Sequence, residues 1–219
     1  MTNQTKIKSL LLTAAVSLGL TAGAFAQNTG TQVPNPASAE LSGGQLGAAY
    51  AGLSLDYTKL QDGPPSAARG FTFTVNQPLN TGFDAKFSFD YAKASAFGVN
   101  ANQKDLFGSL VAFTSNSWGR SYVEAGAGWS WFKAGSFSED SFAFLVGTGV
   151  EFQAAPALTV TPYLNFVRQT GFNSNEYDLG VKASYRITKE WDLTAKVQHN
   201  FVRRDTDATL FSLGANYRY

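Results

Sequence analysis

The stretch YDLGVKASYRITKEWDLTAKVQHNF, residues 177–201, alternates apolar and polar side chains with a period of two. Tyr177, Leu179, Val181, Ala183, Tyr185 and Ile187 fall on one side; Asp178, Gly180, Lys182, Ser184 and Arg186 fall on the other. After the breaker Thr188-Lys189-Glu190 the alternation resumes, with Trp191, Leu193, Ala195 and Val197 set against Asp192, Thr194, Lys196 and Gln198. A helix repeats its apolar positions every 3.6 residues and a strand every two. This stretch therefore reads as a β-hairpin with one apolar and one polar face.

The pattern continues in both directions. Phe83, Ala85, Phe87, Phe89 and Tyr91 alternate with Asp84, Lys86, Ser88 and Asp90. Ten strands are expected, near 45–58, 70–77, 83–93, 104–114, 120–132, 141–153, 158–168, 175–187, 191–201 and 208–219. Tight turns are expected at 76–82, 115–119, 154–157 and 188–190, and longer loops near 59–69, 94–103, 133–140, 169–174 and 202–207. The segment 104–114 is ambiguous, because Phe107, Val111 and Phe113 compete with Leu106 and Leu110 for one face, and without that hairpin the count falls to eight. The fold class is all-β, an antiparallel up-and-down meander whose connections alternate short and long.

Such a meander closes either as a soluble sandwich or as a transmembrane barrel, and the charges discriminate. The polar side of the nine clear strands holds Asp56, Asp84, Asp90, Glu124, Glu151, Glu176, Asp178 and Asp192 with Lys86, Arg120, Lys182, Arg186, Lys196 and Arg218. The apolar side holds only Lys93 and Arg168, both at strand ends. A charge facing lipid costs about 2–4 kcal/mol at the bilayer midplane and little at its edge. The aromatics sort the same way. Tyr57, Tyr91, Trp129, Trp131, Phe142, Tyr177, Phe201 and Phe211 lie at one end of the apolar side, and Phe83, Phe152, Tyr185, Trp191, Tyr217 and Tyr219 at the other. Two aromatic girdles around an aliphatic band are what the two bilayer interfaces select. A transmembrane barrel is expected, with the fourteen named charges facing its lumen.

The N-terminus is consistent with export. Lys6 and Lys8 precede an apolar run from Leu10 to Gly23, and Ala24-Phe25-Ala26 forms a small-residue cleavage site. That run is shorter than the roughly 20 residues of a spanning helix. Residues 1–26 are read as a secretory signal peptide, 27–43 as a flexible periplasmic lead-in, and 44–219 as the barrel. Without Lys6 and Lys8 the 17 basic residues become 15 against 16 acidic, so nothing selects a nucleic-acid partner. The absence of Cys excludes disulfide scaffolds, thiol catalysis and iron–sulfur ligation, and a single His excludes a multi-histidine metal site. No cofactor, metal or catalytic site is expected.

The last strand ends Ser212-Leu213-Gly214-Ala215-Asn216-Tyr217-Arg218-Tyr219. Ser212, Gly214, Tyr217 and Tyr219 resemble the C-terminal assembly signal of bacterial outer-membrane barrels, with Tyr in place of the commoner terminal Phe. Taken with the girdles, the chain resembles the small OmpA/OmpX-type outer-membrane β-barrel family. That resemblance implies a bacterial outer-membrane location, recognition by the barrel-assembly machinery, and contact with outer-membrane lipid and lipopolysaccharide. It names no loop partner. It also raises the hydrolases that share such barrels, which need a rim His with a Ser or several Asp beside it. His199 has Asn200 and Phe201 beside it and no paired Ser, and Asp205 and Asp207 in the last long loop have no second Asp pair to match them. Two functions remain: a structural or surface-contact barrel with a filled or narrow lumen, or a porin-like channel for small solutes. Gly126, Gly128, Gly147, Gly149, Gly180 and Gly214 on the inward side would leave space for the second.

Overall fold

The computed structural model describes residues 44–61, 65–116, 119–202 and 207–219. The expected signal peptide and lead-in, and the Arg203-Arg204 pair, lie outside these residues. Ten strands run antiparallel in chain order: β1 (Tyr50–Leu60), β2 (Ala67–Asn80), β3 (Phe83–Ala96), β4 (Val99–Asn116), β5 (Gly119–Ala134), β6 (Phe137–Ala155), β7 (Leu158–Gln169), β8 (Ser174–Arg186), β9 (Trp191–Val202) and β10 (Ala208–Arg218). Each strand pairs with its neighbours in sequence, and β10 pairs with β1, closing the barrel. The segment 104–114 belongs to a full strand, so ten is the count.

Alternation decides which way each side chain points. Along β8, Ser174, Glu176, Asp178, Gly180, Ser184 and Arg186 are buried in the lumen, while Tyr177, Leu179, Val181 and Tyr185 are exposed on the outer wall. In β4 the ambiguity resolves with Phe107 and Val111 inward and Leu106, Gly108 and Leu110 outward. Leu55 and Leu213 are about 70% exposed, and every strand adds apolar side chains to this outer band.

Two expectations about the strand ends are corrected. The longer loops expected near 94–103 and 133–140 are two-residue turns, Phe97-Gly98 and Gly135-Ser136, and the flanking strands run on to meet them. Phe97 and Gly98 both have positive φ, 51° and 76°, the geometry of a hairpin turn whose twist matches that of its strands. The sequence there looked like loop because its polarity reverses. Ala92, Ala94, Ala96 and Ala101 point inward, while Lys93, Ser95, Asn100 and Asn102 point outward. The second correction is at the start. β1 begins at Tyr50 rather than 45, because residues 44–49 turn into the barrel mouth.

Three of the glycines inside the barrel are sockets for aromatic rings. A Cβ on Gly180 would meet the ring of Tyr163, one on Gly149 the ring of Tyr122, and one on Gly128 the ring of Phe107. The space those three leave is filled from the adjacent strand. Gly108 faces outward, and a Cβ there meets nothing. Gly180→Ala should therefore lose about 1–3 kcal/mol of stability through overpacking. Gly108→Ala should change it by no more than about 0.5 kcal/mol. Urea unfolding midpoints of the two variants in detergent micelles check the difference.

Candidate functional site: the lumen

Among the described residues, buried polar side chains concentrate in the lumen. At the mouth beside the termini, Gly44, Gln45 and Leu46 are buried. The Gln45 amide N–H donates to Glu151 Oε2 (2.8 Å), its side-chain Nε2 donates to Ser184 Oγ (2.9 Å), and its Oε1 accepts from Lys182 Nζ (2.7 Å). The Gly47 N–H donates to Asp84 Oδ2 (2.8 Å), and Arg218 reaches the Gly44 carbonyl (2.5 Å). Leu46 packs among Tyr50, Val111, Tyr122 and Tyr163. An apolar side chain and a fully satisfied amide thus cork this end. Gln45 and Leu46 were expected to open the first strand, and the structure turns them into the mouth instead.

Charges pair side by side along the inner wall, between adjacent strands or strands one apart. Lys86 Nζ lies 2.6 Å from Glu124 Oε1, which also accepts from Ser109 Oγ at 2.5 Å. Arg120 bridges to Glu151 at 3.0 Å. Asp192 is held from two sides, by Arg186 Nε at 2.6 Å and Arg218 Nε at 2.7 Å. Tyr163 donates its hydroxyl to Gln198 Oε1 at 2.6 Å. Farther along the axis lies a carboxylate-rich layer. Thr72 Oγ1 sits 2.7 Å from Asp56 Oδ2 and 2.6 Å from Asp90 Oδ1, and Asn200 Nδ2 donates to both Glu176 and Asp178. Lys182 and Lys196 face each other across the β8–β9 ladder, as Asp90 and Asp105 do across β3–β4. Asp105 is buried and was not among the residues singled out from the sequence, because the face of β4 could not be assigned there.

Toward the far end lies an apolar cluster. Phe132, Phe172 and Val202 pack with Ala96, Ala101 and Ala134, and Val99 and Phe137 lie against them. A cavity of about 40 Å³ opens beside Lys182, Lys196, Thr72, Thr194 and Ser212. That is room for a few water molecules.

Of the C-terminal residues, Ser212 is buried in the lumen, Gly214 lies on the inward side, and Tyr217 and Tyr219 are exposed on the outer wall. His199 lies on the outer wall near the far rim. Its Nδ1 is 3.0 Å from Thr209 Oγ1, and its ring stands edge-on to Phe201 with centroids 4.4 Å apart.

No family model matches the chain, and no curated protein matches it. Solved barrels do. The translocator domain of the autotransporter NalP from Neisseria meningitidis is 12% identical, with 80% of this chain and 90% of that one covered at a TM-score of 0.51. Neisserial surface protein A is 14% identical over 78% and 96% of the two chains at 0.44. The attachment invasion locus protein of Yersinia pestis is 16% identical over 78% and 99% at 0.38. At this identity the first match establishes a shared barrel fold, and the other two superpose more loosely.

Removing one partner of a buried ion pair strands the other. Lys86→Met should destabilise the barrel by about 3–5 kcal/mol by leaving Glu124 uncompensated. Adding Glu124→Gln should restore most of the loss, since a neutral amide still takes the Ser109 hydroxyl. Chemical unfolding of both variants and the wild type measures the recovery.

Proposed function

We propose that the chain is an integral protein of the bacterial outer membrane with a structural or surface-contact role, and that its lumen does not conduct. The observation that supports this most directly is the contrast between its two faces. The outer wall exposes a continuous apolar band between aromatic rows, while the inside holds buried residues 44–46, charges paired along the inner wall and an apolar cluster. Water penalises exposed apolar area of that extent, and the hydrocarbon core of a bilayer does not. A ten-stranded barrel also sits near the width that side chains alone can fill, since eight strands are just filled and wide channels need about 16.

In this reading residues 1–26 direct export, 27–43 form the lead-in, and Ser212, Gly214, Tyr217 and Tyr219 present the last strand to the assembly machinery. The inward charges Asp56, Asp84, Lys86, Asp90, Arg120, Glu124, Glu151, Asp178, Lys182, Arg186, Asp192, Lys196 and Arg218 hold the lumen shut. His199 belongs to the outer aromatic belt and carries no catalysis.

The protein reconstituted into planar bilayers should give no steady conductance steps, while migrating as a compact, heat-modifiable band on gels. Reproducible ion-selective steps would instead establish the porin-like reading. Outward Val181→Arg should weaken folding into phospholipid vesicles by about 2–4 kcal/mol. Val181→Leu should leave it unchanged. Equal behaviour of the two variants would mean that this wall does not face lipid.

A further inference from the structure

Five basic side chains stand on the outer wall at the rim away from the termini: Lys59 on β1, Arg69 on β2, Lys93 on β3, Lys104 on β4 and Lys133 on β5. All five are exposed, and none has an ion-pair or hydrogen-bond partner among the described residues. Register places them side by side. Arg69 lies directly opposite Lys93, Lys93 opposite Asn102, and Asn102 opposite Lys133. Lys104 sits one outward step deeper, between Tyr91 and Trp131. No acid faces outward on these five strands. Asp140, the outward acid of β6, accepts from Trp129 Nε1 at 3.1 Å. Among the described residues, the strands carry no outward cation at the opposite rim.

Like charges placed directly across a ladder repel, so Arg69 and Lys93 are unfavourable neighbours unless an anion joins them. The row lies just beyond exposed Tyr57 and Trp131, at the depth where an interfacial aromatic belt gives way to headgroups. Arg69 also borders an outer groove of about 780 Å³, otherwise lined by side chains such as Leu55, Tyr57, Val181, Phe211 and Leu213. The groove is apolar below and cationic above, the amphiphilic shape of a phosphorylated lipid.

We propose that this rim binds the phosphate groups of an anionic glycolipid in the adjoining leaflet. Arg69 and Lys93 share one phosphate, Lys104 and Lys133 take the next, and an acyl chain lies in the groove beneath Arg69. A guanidinium presents paired donors to phosphate oxygens, and the ammonium groups add point charge around it. The proposal rests on the membrane reading above.

The test uses the folded protein in a zwitterionic detergent, exposed to diphosphoryl lipid A, to monophosphoryl lipid A or to phosphatidylcholine, with retained lipid counted by native mass spectrometry. Wild type should retain the diphosphoryl lipid about five-fold or more over phosphatidylcholine, with the monophosphoryl form between them. The R69Q/K93Q/K104Q variant should lose that preference, and Lys189→Gln at the other rim should keep it. Raising NaCl from 0.1 to 0.5 M shortens the screening length to a few ångströms and should cut wild-type retention about three-fold or more. Equal retention by wild type and the triple variant overturns the proposal, as does indifference to phosphate number or to salt. Complete displacement by millimolar inorganic phosphate also overturns it, since the site would then take phosphate without lipid. If the triple variant gives no heat-modifiable band, K93Q and the salt series decide by the same criteria. Failure of wild type itself to fold in detergent or vesicles counts against the membrane reading instead.

Discussion

The pairing of β1 with β10 is the constraint on which everything else depends. Eleven register pairs, from Tyr50 opposite Arg218 to Leu60 opposite Ala208, join the ends of the meander and leave no strand edge. An open edge in hydrocarbon would leave a row of backbone donors and acceptors without partners, each costing several kcal/mol, so only a closed sheet can present such a wall to lipid. Closure with ten strands also fixes the diameter. The interior must then fill a set volume, and it does so with the rings of Phe107, Tyr122 and Tyr163 seated over glycines of adjacent strands. Residues 44–46 supply the remainder at one end.

The strands do not keep one polarity along their length. Through the middle, apolar side chains point out and charges point in. Toward the far rim the sense reverses, and Ala94, Ala96, Ala101, Phe132 and Ala134 turn inward while Lys93, Asn102 and Lys133 turn outward. The reversal follows from the change of surroundings. A wall that faces lipid must be apolar outside, and the same wall continued into water must become an ordinary soluble barrel with its apolar side chains inside. One strand can do both because its side-chain parity is geometric and carries no chemical preference of its own.

This reversal explains which parts of the structure were legible in the sequence. The strand middles were plain, because Tyr177 to Tyr185 and Phe83 to Tyr91 alternate without interruption. The strand ends were not, because a search for outward apolar residues stops where the outside becomes polar. Lys59, Arg69 and Lys133 fell just beyond the expected strand ends, and Lys104 stood in the ambiguous segment. The basic rim therefore looked like Lys93 alone on that wall. Asp105 was lost with Lys104 for the same reason. Gln45 and Leu46 were read as the start of the first strand; their inward turn follows from partners such as Ser184 and Lys182, far away in the chain.

The charged interior is not the most stable filling that could be imagined, since well-packed apolar side chains often replace buried ion pairs at no cost. Such a replacement would make every strand apolar on both faces. A chain of that kind would be a run of aggregation-prone segments while it crossed an aqueous compartment. Polar residues at alternate positions keep the unfolded strands soluble. Folding then brings those residues into a narrow space where unpaired charge is costly, so the bonds along the inner wall from Lys86 to Glu124 and from Arg186 and Arg218 to Asp192 become obligatory. Filling the lumen is thus a consequence of carrying charge on a barrel of this width. A wider barrel with the same strands would hydrate the same residues and become a pore. What separates the two outcomes is strand number and the inward turn at residues 44–49, more than the identity of the charges.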